Sequence, residues 1–381
     1  MNILIAGDFA PVARLAKMME GKRFPEVFPK GLRDVIKSAD YSFVNFESPV
    51  VEEEGYKPIP KCGPNLKCPA EAAEAVMYAG FTGVTLANNH ILDYGADGLR
   101  RTVECCRNQG LDVVGVGENI ADAGNILYLD KNGDTLAVIN CCEHEFSIAT
   151  DTAAGANPLN PVRQFYQIQE AKAHADHVLV IVHGGHEHFQ LPSPRMVETY
   201  RFFIDAGADV VVNHHQHCYS GYEVYNGKPI FYGLGNFCFD EESLRNCFWN
   251  QGYMIDLDFS DKSVSFTLYP YSQCNESASV DLLHGEDRKR FERELNDLNH
   301  IISDDAMFKE HLRAYYGKCA EWELSILEPY SNRVSRKLYS LGLLPGFIRG
   351  RKLASILNHI GCESHRDKML FALNQKNKYG K

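Results

Sequence analysis

The chain has 381 residues, 45% of them hydrophobic and 23% charged, which is typical of a folded protein with one large domain or two smaller ones. No apolar run approaches the roughly 20 residues of a transmembrane helix, and the N-terminal residues do not resemble a signal peptide, so we expect a cytoplasmic protein. The net charge is −11. Residues 281–381 hold 18 Lys and Arg against 14 Asp and Glu, a net of +4, which leaves −15 for residues 1–280. Such an acidic body disfavours general nucleic-acid binding.

Short β-rich runs alternate with helical patterns over residues 1–270, which is typical of an α/β layered domain. The predicted strands are Ile3–Ala6, Tyr41–Phe46, Gly83–Ala87, Thr135–Asn140, His177–His183 and Asp209–Asn213. The clearest helical patterns between them cover Ala70–Ala79, Ala96–Gln109 and Pro194–Ala206, and Ile230–Phe259 predicts further strands. The α/β domain is therefore placed at residues 1–275.

Residues 276–381 predict a mainly helical C-terminal extension, with helical patterns over 286–302, 304–328 and 364–376. Residues 329–362 contain six basic residues and no acidic one. One interpretation is a contact surface for an anionic polymer, a lipid headgroup or a partner protein. The other interpretation, which we favour from the sequence alone, is an ordinary solvated basic face.

Polar side chains that suit a metal ion follow five of the predicted strands. These side chains are Asp8, Glu47, the Asn88-Asn89-His90 run, His183 and the His214-His215-Gln216-His217 run. Each alone has a simple structural explanation as a cap, a turn or a satisfied polar group. In open α/β sheets, however, the carboxyl ends of the strands meet at one edge. Carboxylate, amide and imidazole groups together form a ligand set that Mn, Fe or Zn ions accept, so we expect one or two divalent ions.

The spacing of His215 and His217 adds to this prediction. In an extended segment, residues two apart point to the same face, so both rings would face one metal cluster.

The same residues, taken in order, resemble the motif series of calcineurin-like metallophosphoesterases. The series consists of Gly7-Asp8, Asn45-x-Glu47, Asn88-Asn89-His90, His183 and His215-x-His217. It is most similar to the CapA branch, the bacterial poly-γ-glutamate capsule-synthesis (PGA_cap) family, through the stretches 86–95 and 207–237. The resemblance covers about residues 1–260. It implies a four-layer α/β/β/α sandwich with the metals at one edge of the paired sheets.

The resemblance also implies roles for single residues. Asp8 and His217 would bind a first metal, and Glu47 would bridge two metals. Asn89, His183 and His215 would bind the second metal. His90 would act beside the substrate as a general acid or a charge stabiliser, and the nearby Asp93 would either orient the His90 ring or cap a helix.

Three departures from the family pattern bear on the site. The superfamily usually has a His two residues after the first Asp, but Ala10 stands here, and Glu47 replaces the usual bridging Asp. The first metal therefore has fewer ligands, which leaves both one-ion and two-ion occupancy open. Gly184-Gly185 follow His183 where the branch commonly has Trp. Residues assigned to substrate contacts are Asn45, Asn88, His186, Glu187 and Asn236, and Gly235 would allow a close backbone approach.

The function predicted from these features is a metal-dependent hydrolase of a phosphoester, acting in capsule, exopolysaccharide or poly-γ-glutamate metabolism. An amide of a glutamyl polymer is a second substrate class. The alternative is a non-hydrolytic component of capsule or envelope biosynthesis that binds an anionic polymer. The expected partner is a phosphorylated or anionic substrate, with no specific nucleic acid; the oligomeric state is not predicted.

Overall fold

The computed structural model describes residues 1–51, 55–259, 264–330 and 332–361, together with 365, 368, 369 and 373. It divides the chain into two compact units, Met1–Asp305 and Ala306–Lys381. Most of the helical pattern predicted over 364–376 lies outside the described residues. Among the described helices, none is long and apolar enough to cross a membrane.

Two β-sheets form the frame of the first unit. The larger sheet has the order β16 (Val280–Leu282), β15 (Ser265–Gln273), β14 (Gln251–Asp258), β1 (Asn2–Ala10), β2 (Tyr41–Phe46), β3 (Gly83–Thr85) and β4 (Asp112–Val114), with β13 (Asn236–Phe239) paired to β1. The smaller sheet has the order β11 (Tyr222–Tyr225), β12 (Lys228–Phe231), β10 (Val210–His214), β9 (His177–His183), β7 (Asp134–Cys142) and β6 (Leu127–Lys131). A short pair, β5 (Val116–Gly117) and β8 (Gly155–Ala156), lies apart.

Helices and short connecting segments surround these sheets. In the first unit the helices are α1 (Arg14–Glu20), α2 (Phe24–Val27), α3 (Lys30–Ile36), α4 (Glu71–Ala79), α5 (Gly95–Asn108), α6 (Ile120–Ala123), α7 (Pro161–His174), α8 (Pro194–Ala206) and α9 (Gly285–Ser303). Two 3₁₀ turns span Glu242–Leu244 and Phe248–Asn250. The remaining helices are α10 (Asp305–Leu327), α11 (Arg333–Ser340) and α12 (Gly350–Gly361).

The alternation of side chains along β1 explains the layers. Ile3 and Ile5 pack with Leu179 and Val212 of the smaller sheet in a core between the two sheets. Leu4, on the opposite face of β1, packs into a second core formed with α1 to α5. Helices α7 and α8 lie against the smaller sheet. The predicted α/β fold, with four α/β/β/α layers, is therefore observed.

The first unit extends further along the chain than the predicted boundary at residue 275. Strand β16 pairs with β15, and Phe291 and Leu295 of α9 are buried in the core between the sheets. The change of composition near residue 280 marks a change from sheet to helix, but α9 still belongs to the α/β unit because its apolar side fills the edge of that core.

Replacing Leu295 tests this assignment. Because Leu295 is 2% exposed in the inter-sheet core, Leu295→Ala should lower the free energy of unfolding by about 2–5 kcal/mol, measured by urea denaturation. Glu292→Ala, on the exposed side of the same helix, is the matched control and should change stability by less than about 0.5 kcal/mol. Equal effects of the two variants would show that α9 does not contribute to this core.

Candidate metal centre

Glu47 lies at the centre of the candidate site, directly after β2. It is fully buried, and neither of its carboxylate oxygens has a hydrogen-bond partner. Its Oε1 lies 3.5 Å from His183 Nε2 and 3.6 Å from His217 Nε2. Burial and the nearby Asp8 raise the pKa of Glu47 well above its usual value. A buried carboxylate without hydrogen bonds is costly, so this environment suits a bound cation.

The first group of potential ligands surrounds His183. Its Nε2 lies 3.0 Å from Asn89 Oδ1 and 3.1 Å from His215 Nδ1. With Glu47, these atoms come from both sheets and from the loop after β3. Ligands about 2.0–2.2 Å from one ion lie roughly 3 Å apart, so the spacing fits a metal site. Burial, reinforced by His215, lowers the pKa of His183 well below its usual value, which favours the neutral imidazole that metals bind.

The second group consists of Asp8, Glu47 and His217, and Glu47 is common to both groups. Asp8 Oδ1 accepts a hydrogen bond of 2.7 Å from Asn45 Nδ2, and its Oδ2 accepts one of 3.2 Å from the backbone N–H of His215. His217 Nδ1 lies 2.9 Å from Asn236 Oδ1, an arrangement in which Nδ1 carries the proton and Nε2 is available as a ligand. Burial lowers the pKa of His217 to about 4.

Two glycines allow Asp8 to reach this position. A Cβ on Gly7 would lie 1.8 Å from the carbonyl oxygen of Gly235, so only glycine fits where the two segments cross. Gly235 has a φ of +79° and accepts a hydrogen bond of 3.1 Å from the Asp8 N–H. Gly235 therefore makes a close backbone approach to β1, next to Asp8.

The predicted reason for the convergence of His215 and His217 is wrong. β10 ends at His214, and His215 and His217 have φ angles of 93° and 55°, so the segment is not extended. Their ring centroids nevertheless lie 6.0 Å apart. The turn brings the rings together, and the hydrogen bond from His215 N–H to Asp8 helps to stabilise this unusual backbone.

His90 and Asp93 form a pair. The Asp93 carboxylate contacts the His90 ring and does not cap a helix. His90 Nδ1 lies 2.7 Å from Asp93 Oδ2, whereas the N-cap of α5 is Tyr94. Asp93 also accepts hydrogen bonds from Lys61 Nζ and from the backbone of Leu66. The carboxylate therefore holds the His90 ring by its Nδ1 atom, which leaves Nε2 for other contacts.

The residues assigned to substrate contacts are placed differently from one another. The amides of Asn45, Asn88 and Asn236 bind protein atoms: Asn45 contacts Asp8, Asn88 contacts Asn45 and the Phe46 carbonyl, and Asn236 contacts His217. These contacts favour a role in holding the ligands. Glu187 is exposed and groups with His215 and His217, so it is a further potential ligand. His186 is half-buried beside these residues, and burial lowers its pKa.

Lys61 and Glu145 contribute to the site but were not predicted from the sequence, and His214 was predicted only as part of the run of residues 214–217. Lys61 is almost fully buried against Asp93 and comes from a loop with no recognisable pattern. Glu145 follows β7, a sixth strand end, and that position was the available signal. Its Oε2 accepts a hydrogen bond of 3.0 Å from Asn89 Nδ2, which turns the Asn89 oxygen toward His183. The same oxygen lies 3.9 Å from His215 Nε2. His214 is buried with Nδ1 3.4 Å from Asp8 Oδ1.

Because the Glu47 carboxylate is buried, replacing it should raise the stability of the metal-free chain but weaken metal binding. A carboxyl group whose pKa is raised by folding contributes stability below its unfolded pKa and loses it as the pH rises through its folded pKa. Metal-free Glu47→Gln should therefore be more stable than the original chain at neutral pH, by about 1–3 kcal/mol, and the gain should vanish in acid. Thermal unfolding across pH, with and without Mn²⁺, measures both effects.

Added Mn²⁺ should stabilise the original chain and have little effect on Glu47→Gln. The exposed Glu20→Gln is the control for loss of a carboxylate. Metal stabilisation that persists undiminished in Glu47→Gln would contradict the shared-ligand assignment.

Glu145 should affect metal affinity without binding the metal. Because it holds the Asn89 amide, Glu145→Ala should weaken Mn²⁺ binding roughly 10–100-fold in calorimetric titration. Glu143→Gln is the control, since Glu143 lies on the same segment but pairs with Arg195. Equal metal affinity in the two variants would count against this role of Glu145.

The family model of the bacterial capsule synthesis protein PGA_cap matches residues 2–241. The chain is 40% identical over 214 residues to the capsule biosynthesis protein CapA of Bacillus anthracis, covering 54% of this chain and 52% of that protein. It is 36% identical over 244 residues to the PGA biosynthesis protein CapA of Bacillus subtilis, covering 63% of this chain and 64% of that protein. The chain thus spans between half and two thirds of the length of these relatives.

A hypothetical protein of Thermus thermophilus, of known crystal structure, is 14% identical, with a TM-score of 0.44 over 71% of this chain and 99% of that chain.

The match of the family model includes all the potential metal ligands described above, from Asp8 to His217. The chain belongs to the bacterial capsule synthesis protein family PGA_cap.

Proposed function

We propose that the chain is a metal-dependent hydrolase that cleaves a phosphoester, and that it acts in capsule or poly-γ-glutamate metabolism. The observation that carries the proposal is the fully buried Glu47 carboxylate, which has no hydrogen-bond partner and belongs to two groups of potential ligands. Membership of the PGA_cap family and the names of the two CapA relatives support the biological context.

The ligand residues fit one or two divalent ions. Glu47, Asn89, His183 and His215 would hold one ion, and Asp8, Glu47 and His217 would hold another. The chemistry supplied by ions bound there is polarisation of a phosphoryl oxygen and a lower pKa of bound water. Mixed oxygen and nitrogen ligands suit Mn, Fe or Zn.

In this proposal His90 is the residue of the chain that transfers a proton. Asp93 accepts from its Nδ1 atom, and Lys61 is paired with Asp93, so the ring keeps one orientation and one tautomer. Its Nε2 atom is then the atom that donates a proton to a leaving oxygen or contacts a phosphoryl oxygen. Asn45, Asn88 and Asn236 orient the ligands.

The alternative function, binding of an anionic polymer without hydrolysis, does not require the His90–Asp93 pair. Binding of an anionic polymer requires only positively charged side chains. The ordered and buried contacts of Asp93 with Lys61, Leu66 and His90 are the specific reason to favour hydrolysis.

Replacing His90 tests the proposal. The Mn²⁺-loaded chain should hydrolyse p-nitrophenyl phosphate or its bis-ester, and His90→Ala should lower kcat roughly 10²–10⁴-fold with Mn²⁺ affinity retained. His144→Ala, an exposed histidine of a neighbouring loop, is the control and should retain full activity. Equal activity of His90→Ala and His144→Ala would refute the role of His90. Absence of phosphoester cleavage together with release of glutamate from poly-γ-glutamate would favour the amide substrate.

A further inference from the structure

The stretch 332–361 of the second unit combines positive charge with exposed apolar side chains; we call it the basic-apolar segment. It contains α11, α12 and the connection between them. Its six basic residues are Arg333, Arg336, Lys337, Arg349, Arg351 and Lys352, and it contains no Asp or Glu. Five of the six are exposed, and Arg336 is partly exposed.

Most apolar residues of the segment follow helical spacing, and within the described part of the chain several of them are more than half exposed. In α11, Val334 and Leu338 are four residues apart and share one face with Leu341 just beyond the helix. In α12, Leu353, Ile356, Leu357 and Ile360 follow the i, i+3, i+4, i+7 pattern of a single face. Val334 is 71% exposed, Leu343 67% and Leu357 62%. Soluble helices normally bury such a face against a core.

Glu328, the acidic residue that precedes the segment, does not offset the positive charge of the segment. Glu328, directly after α10, is 6% exposed and accepts hydrogen bonds of 2.9 Å from the backbone N–H groups of Phe347 and Ile348. Tyr330 donates to the Pro345 carbonyl over 2.6 Å. These contacts fix the connection between α11 and α12 and turn the Glu328 carboxylate inward, so that this group does not offset the exposed positive charge of the segment.

We propose that the basic-apolar segment binds the surface of a lipid bilayer that carries anionic headgroups. Charge complementarity selects an anionic partner, and the exposed Leu, Ile and Val side chains select one with hydrocarbon beneath its charges. A soluble polyanion would need only the basic residues. A second copy of the chain meeting through the same face would place like charges opposite each other. Neither α11 nor the described part of α12 is long and apolar enough to span a bilayer, so in this proposal both lie along the interface.

Binding to vesicles tests this proposal on the full-length chain. The protein should sediment with vesicles containing phosphatidylglycerol, far less with pure phosphatidylcholine vesicles, and less at high salt. Joint replacement of Arg349, Arg351 and Lys352 by Gln should weaken binding roughly a hundredfold. Joint replacement of Leu338 and Leu357 by Ser should weaken it roughly tenfold or more, whereas Leu357→Met should bind normally.

Matched controls lie in the first unit. Joint replacement of Arg288, Lys289 and Arg290 of α9 by Gln removes the same charge elsewhere, and Val162→Ser removes an apolar side chain that is 66% exposed on α7. Both controls should bind like the original chain. Circular dichroism checks that every variant keeps its helix content.

Three outcomes would overturn the proposal. The first is equal binding of the original chain to phosphatidylglycerol and phosphatidylcholine vesicles, or an equal loss of vesicle binding in the test and control variants. The second is binding to soluble poly-γ-glutamate without binding to vesicles. The third is concentration-dependent self-association, measured by sedimentation velocity, that the Leu338 and Leu357 replacements abolish while no vesicle binding occurs.

Discussion

The constraint on which the site depends is the burial of the Glu47 carboxylate without a hydrogen-bond donor. An ionised carboxylate in such a place is unfavourable, and the neighbouring Asp8 makes it more so. The imidazoles of His183 and His217 lie next to Glu47, and their lowered pKa values keep them neutral. Among the described residues, no Lys or Arg side chain forms an ion pair with Glu47. That arrangement leaves the negative charge for a bound cation, which is why the residues fit a metal centre better than a structural ion-pair network.

The two sheets contribute different parts of this centre. The larger sheet supplies Asp8 and Glu47 at the ends of β1 and β2, and the smaller sheet supplies His183 at the end of β9. The potential ligands thus meet where the edges of the sheets meet. Glycine at positions 7 and 235 permits the close crossing that positions Asp8, and the hydrogen bond between Asp8 and the His215 backbone links the sheets through the site itself.

The polar groups around the ligands form a second layer with distinct partners. Asn45 holds Asp8, Asn236 holds His217, and Glu145 holds Asn89. Lys61 and Asp93 hold His90 in the same way. Each of these contacts fixes a tautomer or an amide orientation, and a site that must present several lone pairs toward one point requires such contacts. The first unit, which contains the candidate metal centre, is acidic, whereas the basic-apolar segment of the second unit is positively charged.

The sequence by itself determined the α/β architecture and the list of candidate ligand positions, because strand periodicity is local and parallel strands bring their carboxyl ends to one edge. The resemblance to PGA_cap proteins rests on the same residues and is confirmed by the family match. The tertiary structure alone decided the backbone turn at His215 and His217, the partners of the asparagine amides, the burial of Lys61, and the inclusion of α9 in the first unit. These features depend on contacts between residues far apart in the chain, and such contacts cannot be predicted from local sequence patterns.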